Sequence, residues 1–120
     1  MSTVDENIMR AEAYLARFRK DGVLNQIDGE TVPAADGGTF EIISPVDLKP
    51  LAKVAKGKAI DVDRAAKAAK AAFPTWAALS GDKRKAVLHK IADAIVVRAE
   101  EIAFVECMDT GQSIDRKSVV

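Results

Sequence analysis

A nucleophile, a base and a phosphate cradle are the groups worth finding first, and the chain offers few candidates for any of them. Cys107 is the single cysteine, and a thiol near a helix end can serve as a nucleophile when basic neighbours favour its thiolate. No basic residue lies within a turn of it, while Glu106 and Asp109 oppose ionisation, so it reads as inert. His89 is the single histidine. That excludes a His-based metal cluster and leaves no catalytic dyad supported by spacing, so His89 reads as a surface residue of an amphipathic helix. Asp61 and Asp63 invite a paired-carboxylate reading, but two acids at the start of a helical segment are what its N-terminus attracts. Lys83, Arg84, Lys85 and Lys90 make a basic stretch whose interleaved apolar residues mark the solvated face of a helix. Gly37-Gly38 precedes a strand, whereas a phosphate loop precedes a helix.

The elements that position these residues follow from periodicity. A helix is expected over about 5–20, with Thr3 and Glu6 at capping-box spacing and Ile8, Ala11, Leu15 and Phe18 on one face. Asp21-Gly22 ends it. Short strands follow near 23–27, 30–33, 39–43 and 51–55, the first two joined by Asp28-Gly29, a two-residue turn that favours a tight hairpin. A helix over about 59–73 carries Val62, Ala65, Ala66, Ala69 and Phe73 on one face, and Pro74 is expected to stop it. Trp76 falls in the connection, as the largest available anchor. Ser80 suits the N-cap of a last helix over about 81–107, with a stripe of Leu88, Ile91, Ala92, Ile95, Ala99 and Ile102. The β-branched run Ile95-Val96-Val97 favours a break near Arg98. Gly111 sits where a left-handed residue closes a helix.

Composition sets the outer limits. The chain has 120 residues, enough for one domain. Lys plus Arg and Asp plus Glu each number 18, so the net charge is zero and gives no electrostatic reason to expect nucleic acid or an anionic membrane as partner. Of the apolar residues 21 are alanine, which leaves a modest core. No apolar run approaches the roughly 20 residues of a membrane-spanning helix. One cysteine cannot close an internal disulfide, which suits a reducing cytoplasm.

The order of segments is more specific than any single residue. Ile27-Asp28-Gly29-Glu30, Phe40-Glu41-Ile42-Ile43-Ser44-Pro45, Leu51-Ala52-Lys53-Val54-Ala55, Asp61-Val62-Asp63-Arg64-Ala65, Ala71-Ala72-Phe73-Pro74-Thr75-Trp76, Leu88-His89-Lys90-Ile91-Ala92-Asp93 and Asp109-Thr110-Gly111-Gln112 occur in that order. Together, over about residues 24–114, they resemble the opening of the NAD(P)-dependent aldehyde dehydrogenase superfamily. The extra N-terminal helix and Asn25-Gln26-Ile27-Asp28-Gly29 resemble a subgroup acting on muconic semialdehydes, the nearest in wording being 5-carboxymethyl-2-hydroxymuconate semialdehyde dehydrogenases of aromatic-acid breakdown.

The resemblance implies an α/β fold: an incomplete N-terminal piece of the coenzyme-binding, Rossmann-like region, made of an N-terminal helix, short antiparallel strands and then two helices. It implies an oxidoreductase that converts an aldehyde to a carboxylic acid with NAD or NADP and works as a homo-oligomer. The family's cysteine nucleophile, glutamate base, oxyanion-holding asparagine and coenzyme turn all fall beyond Gln112. No residue here is therefore assigned to catalysis or to the coenzyme, and the chain alone is expected to be inactive and unable to bind NAD(P). One family site maps onto these residues by the resemblance: a monovalent cation, sodium or potassium, held by the main-chain carbonyls of Ile42 and Ile43 and by Asp109, the alternative being that Asp109 simply accepts hydrogen bonds at a helix end. Residues 1–114 are expected to belong to the family. Residues 115–120 are expected to be a non-native tail, since they resemble the translation of a short-read sequencing adapter. If covering parts are missing, Val62, Ala69, Phe73, Leu88, Ile91, Ile95 and Ile102 should lie bare. The rival reading is a small non-enzymatic binding or oligomerisation module built on the same fold piece.

Overall fold

The structure, a computed structural model, describes residues 2–114; the expected foreign tail at 115–120 lies outside them. The elements in order are α1 (Thr3–Asp21), β1 (Asn25–Ile27), β2 (Glu30–Val32), β3 (Thr39–Ile43), β4 (Pro50–Ala55), α2 (Ala59–Ala77), α3 (Gly81–Val97) and α4 (Ala99–Thr110). They fall into two compact units. Of the described residues, one holds 2–23, 39–54 and 98–114; the other holds Leu24–Gly38 and Ala55–Val97.

In the first unit α1 packs against α4. Ala11 and Leu15 from α1, Leu51 and Ala52 from β4, and Phe104 from α4 are its buried apolar residues. The Tyr14 and Phe104 rings lie 5.8 Å apart between centroids. The turn out of α1 depends on Gly22, which has φ 71°; a Cβ there would sit 2.8 Å from the Lys53 carbonyl oxygen. That close approach lets Val23 N donate to Lys53 O at 2.8 Å, tying the end of α1 to β4. β3 pairs with β4, and the loop between them is closed by Ser44 N donating to Lys49 O at 2.9 Å.

The second unit starts with the antiparallel hairpin β1–β2, in register Asn25↔Val32, Gln26↔Thr31 and Ile27↔Glu30. Asp28 and Gly29 both have positive φ (56° and 77°), as the expected two-residue turn requires. α2 contacts β1. The unit's buried apolar residues are Ala34 and Ala55, and no residue of α3 is buried.

Expectations about several elements need correction, while the expected break near Arg98 is present. The N-cap of α1 is Ser2 rather than Thr3: Asp5 N donates to Ser2 Oγ at 3.2 Å and Ser2 N to the Asp5 carboxylate at 3.0 Å. The sequence offers this capping box in two adjacent registers, and the earlier one wins. Pro74 does not stop α2, which runs to Ala77. A proline forfeits one N–H and crowds the carbonyl one turn back, but its own carbonyl still accepts, here from Ala78 N at 3.0 Å. Trp76 consequently lies in α2 and is exposed, rather than anchoring a connection. The last helix is two helices, divided at Arg98, whose φ −105° and ψ 13° leave the helical region. This is the break that the β-branched run favours. Finally, α4 extends to Thr110 and the first strand begins at Asn25, with Val23 making an isolated bridge to Val54.

Candidate functional site

Ile42 and Ile43 end β3, and Asp109 lies in the last turn of α4, all three within the first unit. The segments carrying them meet just beyond. Gly111 closes α4 in the left-handed conformation (φ 76°, ψ 11°), and a Cβ there would lie 3.3 Å from Pro45 Cγ. The C-terminal end of α4 is the negative end of its dipole and presents carbonyl oxygens. Asp109 is exposed and lines a cavity of about 340 Å³ with Arg17, Phe18, Arg98, Ile102 and Thr110 among its neighbours. The two arginines in that cavity are both paired to Glu101, which leaves the Asp109 carboxylate as a charge not committed to them. Among the described residues no three His, Cys, Asp or Glu side chains converge on one point. The residues that the resemblance names would offer two main-chain carbonyls and one carboxylate. That set is all hard oxygen with a single negative charge, which fits an alkali cation better than zinc.

The other residues singled out in the sequence are placed apart from one another. His89 is exposed on α3. Cys107 is half-buried in α4 and lines a cavity of about 220 Å³ with Val4, Ile8, Phe104 and Met108. No histidine or other base belongs to that wall. Asp63 forms an ion pair with Lys67 one turn later, at 2.6 Å on the exposed face of α2.

Asp61 does something that helix-end electrostatics does not reveal. It is buried, and its carboxylate accepts from Lys58 N at 3.0 Å and from Ala35 N at 2.9 Å. One oxygen completes the first turn of α2 and the other fastens the loop after β2, 26 residues away in sequence. Arg84, expected on a solvated basic face, instead donates to the carbonyls of Leu79 (2.5 Å) and Ala77 (3.3 Å), closing the C-terminal end of α2. Ser80 caps α3 as expected, accepting from Lys83 N at 3.4 Å.

Among the described residues the perturbed groups are exposed, and their partners lie within α1 or join one element to the next. The Glu100 carboxylate accepts from the Tyr14 hydroxyl at 2.6 Å and so pushes that hydroxyl's pKa above the usual phenol range. Arg10 donates to the same carboxylate at 2.9 Å, which joins α1 to α4. Lys58 holds the Asp36 carboxyl below the usual range, assisted by Gly38 N at 2.9 Å. None of these groups is poised as an acid or a base between reacting atoms.

The aldehyde dehydrogenase family profile matches residues 32–119, a span that continues past Ile114. The NADP/NAD-dependent aldehyde dehydrogenase PuuC of Escherichia coli strain K12 is 49% identical over 90 residues, which is 73% of this chain and 18% of that protein. The 2-hydroxymuconic semialdehyde dehydrogenase of Pseudomonas sp. strain CF600 is 38% identical over 87 residues, covering 72% of this chain and 18% of that one. Among solved structures, HpcC from Thermus thermophilus superposes with a TM-score of 0.86 at 37% identity, over 89% of this chain and 21% of that one. The chain thus spans about a fifth of the length of the relatives it matches.

Proposed function

Because this chain belongs to the aldehyde dehydrogenase family, we propose that it is the N-terminal part of the coenzyme-binding region of an enzyme that oxidises an aldehyde to a carboxylic acid with NAD or NADP. The observation that carries this reading is the joint likeness in sequence and backbone to aldehyde dehydrogenases. In the overall reaction the coenzyme, when bound, accepts the hydride leaving the aldehyde carbon. Water supplies the second oxygen of the acid, and one proton is released. The substrate class we assign is a hydroxymuconic semialdehyde, on the likeness to the Pseudomonas enzyme. The enzyme is read as a cytoplasmic homo-oligomer.

The chain's own residues contribute scaffold rather than chemistry. Cys107 lines a cavity whose wall, Asn7 and Gln112 included, holds no basic or acidic side chain, and the nucleophile, base and coenzyme turn implied by the family lie outside these residues. Residues 1–120 alone are inactive in this account. Ile42, Ile43 and Asp109 would hold a sodium or potassium ion, whose role is to brace the end of β3 against the end of α4.

The test is a chimera in which residues 1–114 replace the matched segment of PuuC. Aldehyde-dependent reduction of NAD or NADP by the folded chimera supports the reading. A soluble, folded chimera that binds coenzyme but oxidises no aldehyde contradicts it.

A further inference from the structure

We propose that the Asn25 side-chain amide and the Asp61 carboxylate bind a buried water molecule between them, over Gly57, and that this water ties the β1–β2 hairpin to the first turn of α2. Asn25 opens β1 and pairs with Val32 across the hairpin. Its side-chain nitrogen Nδ2 is buried and meets no hydrogen-bond acceptor among the described residues. A donor withdrawn from water without a new partner costs folding free energy, and buried polar groups of native proteins are completed by protein or by ordered water. Such a water needs room for one molecule and roughly two to four polar partners.

Gly57 provides the room. A Cβ there would lie 3.7 Å from Asn25 Oδ1, 3.9 Å from Asn25 Nδ2 and 3.9 Å from the Asp61 Cβ, and these are the nearest atoms outside Gly57 and its chain neighbours. One point therefore has the amide on one side and Asp61 on the other. Neither backbone nor crowding demands glycine at this position. Gly57 lacks the left-handed φ of Gly22 and Gly29, and a Cβ would make only ordinary van der Waals contacts. What a side chain would do is take up the space beside the amide.

Asp61 provides the second partner. Its carboxylate is buried, one oxygen accepting from Ala35 N at 2.9 Å and the other from Lys58 N at 3.0 Å. A carboxylate has about four acceptor directions, so two bonds leave capacity for another. In the bridge, Asn25 Nδ2–H donates to the water oxygen and a water O–H donates to the carboxylate. Asn25, Gly57 and Asp61 belong to one unit, in which α2 contacts β1. The hairpin, the loop after β2 and the start of α2 then share a single carboxylate. Nothing in this site depends on the family reading.

The experiment is water-selective Overhauser spectroscopy on the ¹⁵N-labelled 120-residue chain, read at the Asn25 side-chain amide. A water held in place gives cross-peaks of opposite sign in the laboratory and rotating frames, whereas proton exchange with bulk solvent gives the same sign in both. The wild-type amide should show the opposite-sign peaks. In Gly57→Ala, whose methyl takes the same space, they should vanish and the urea midpoint should fall. The direction of that shift discriminates, because Gly→Ala at a compatible backbone otherwise raises the midpoint by narrowing the unfolded ensemble. A wild-type amide with exchange peaks only, or with dipolar contacts to protein protons alone, overturns the proposal. So does a Gly57→Ala chain that keeps the water peaks and melts at a higher urea concentration. If Gly57→Ala does not fold, the wild-type spectra decide by themselves.

Discussion

The two units bury different things. The α1–α4 unit closes over Leu15, Leu51 and Phe104, with the Tyr14 ring packed near Phe104 and Glu100 tying both helices to Arg10 and Tyr14. The α2–α3 unit buries two alanines and one carboxylate, Asp61. Its large side chains are at most half-buried, and Phe73, Trp76, Leu88 and Ile91 are exposed. The first unit therefore draws stability from apolar packing, as a folded domain does, while the second is held in shape by hairpin pairing and by polar latches at Asp61 and Arg84. Exposed stripes beside a well-formed backbone teach that local structure and burial need not be completed by the same stretch of chain.

Core truncation should separate the units most sharply. Phe104→Ala should cost about 3–5 kcal/mol of unfolding free energy in urea, because it empties the centre of the α1–α4 unit. Ile91→Ala in the isolated chain should cost no more than about 0.5 kcal/mol, as at an ordinary surface position. Comparable losses at both would break the comparison.

The polar latch comes next. Asp61→Ala leaves the N–H groups of Lys58 and Ala35 without their acceptor, and about 1–3 kcal/mol should be lost. Loss of helicity confined to α2 in heteronuclear NMR would locate the effect, and an unchanged α2 would show that the latch is dispensable. Gly22→Ala meets both a left-handed φ and the Lys53 carbonyl, so about 1–2 kcal/mol should be lost from the first unit alone.

Titration gives the smallest effects. Tyr14 is the single tyrosine, so its phenolate absorbance reports directly on the contact between α1 and α4. Its folded pKa is raised by Glu100. The linked stability is therefore fully present below the unfolded phenol value and fades as pH rises through the raised one. Glu100→Gln should move the midpoint back toward the ordinary phenol value, and an unmoved midpoint would remove Glu100 as the cause. At the acid end, Glu12 is held low by Arg19 and Asp36 by Lys58. Stability from those pairs is present above the ordinary carboxylate range and fades as pH falls through the lowered values, slightly and in both units, because both pairs are exposed.

What the sequence disclosed depended on how local each cause is. Asp28-Gly29, Gly111 and the run Ile95-Val96-Val97 act within a few residues, so the hairpin, the helix end and the break at Arg98 were all legible. The bare stripes at Val62, Phe73, Leu88 and Ile91 were legible from periodicity joined to the family resemblance. The second bond of Asp61 reaches Ala35, and Arg84 reaches back to α2, so neither shows in spacing along a single element. Pro74 misled because a proline near a helix end costs only one bond, which neighbouring turns can absorb. For the proposed cation site at Ile42, Ile43 and Asp109 the sequence carries no local signature, and only the resemblance singled those residues out.

Hydrogen exchange of the isolated 120-residue chain, resolved by peptide mass spectrometry, tests the central claim that one unit completes its core and the other leaves its faces uncovered. Amides of α1 and α4 should exchange slowly, through opening of the unit built around Leu15 and Phe104, while amides of α3 should exchange with little protection because no tertiary contact buries that helix. Protection of α3 equal to that of α4 in the monomeric chain would contradict the account.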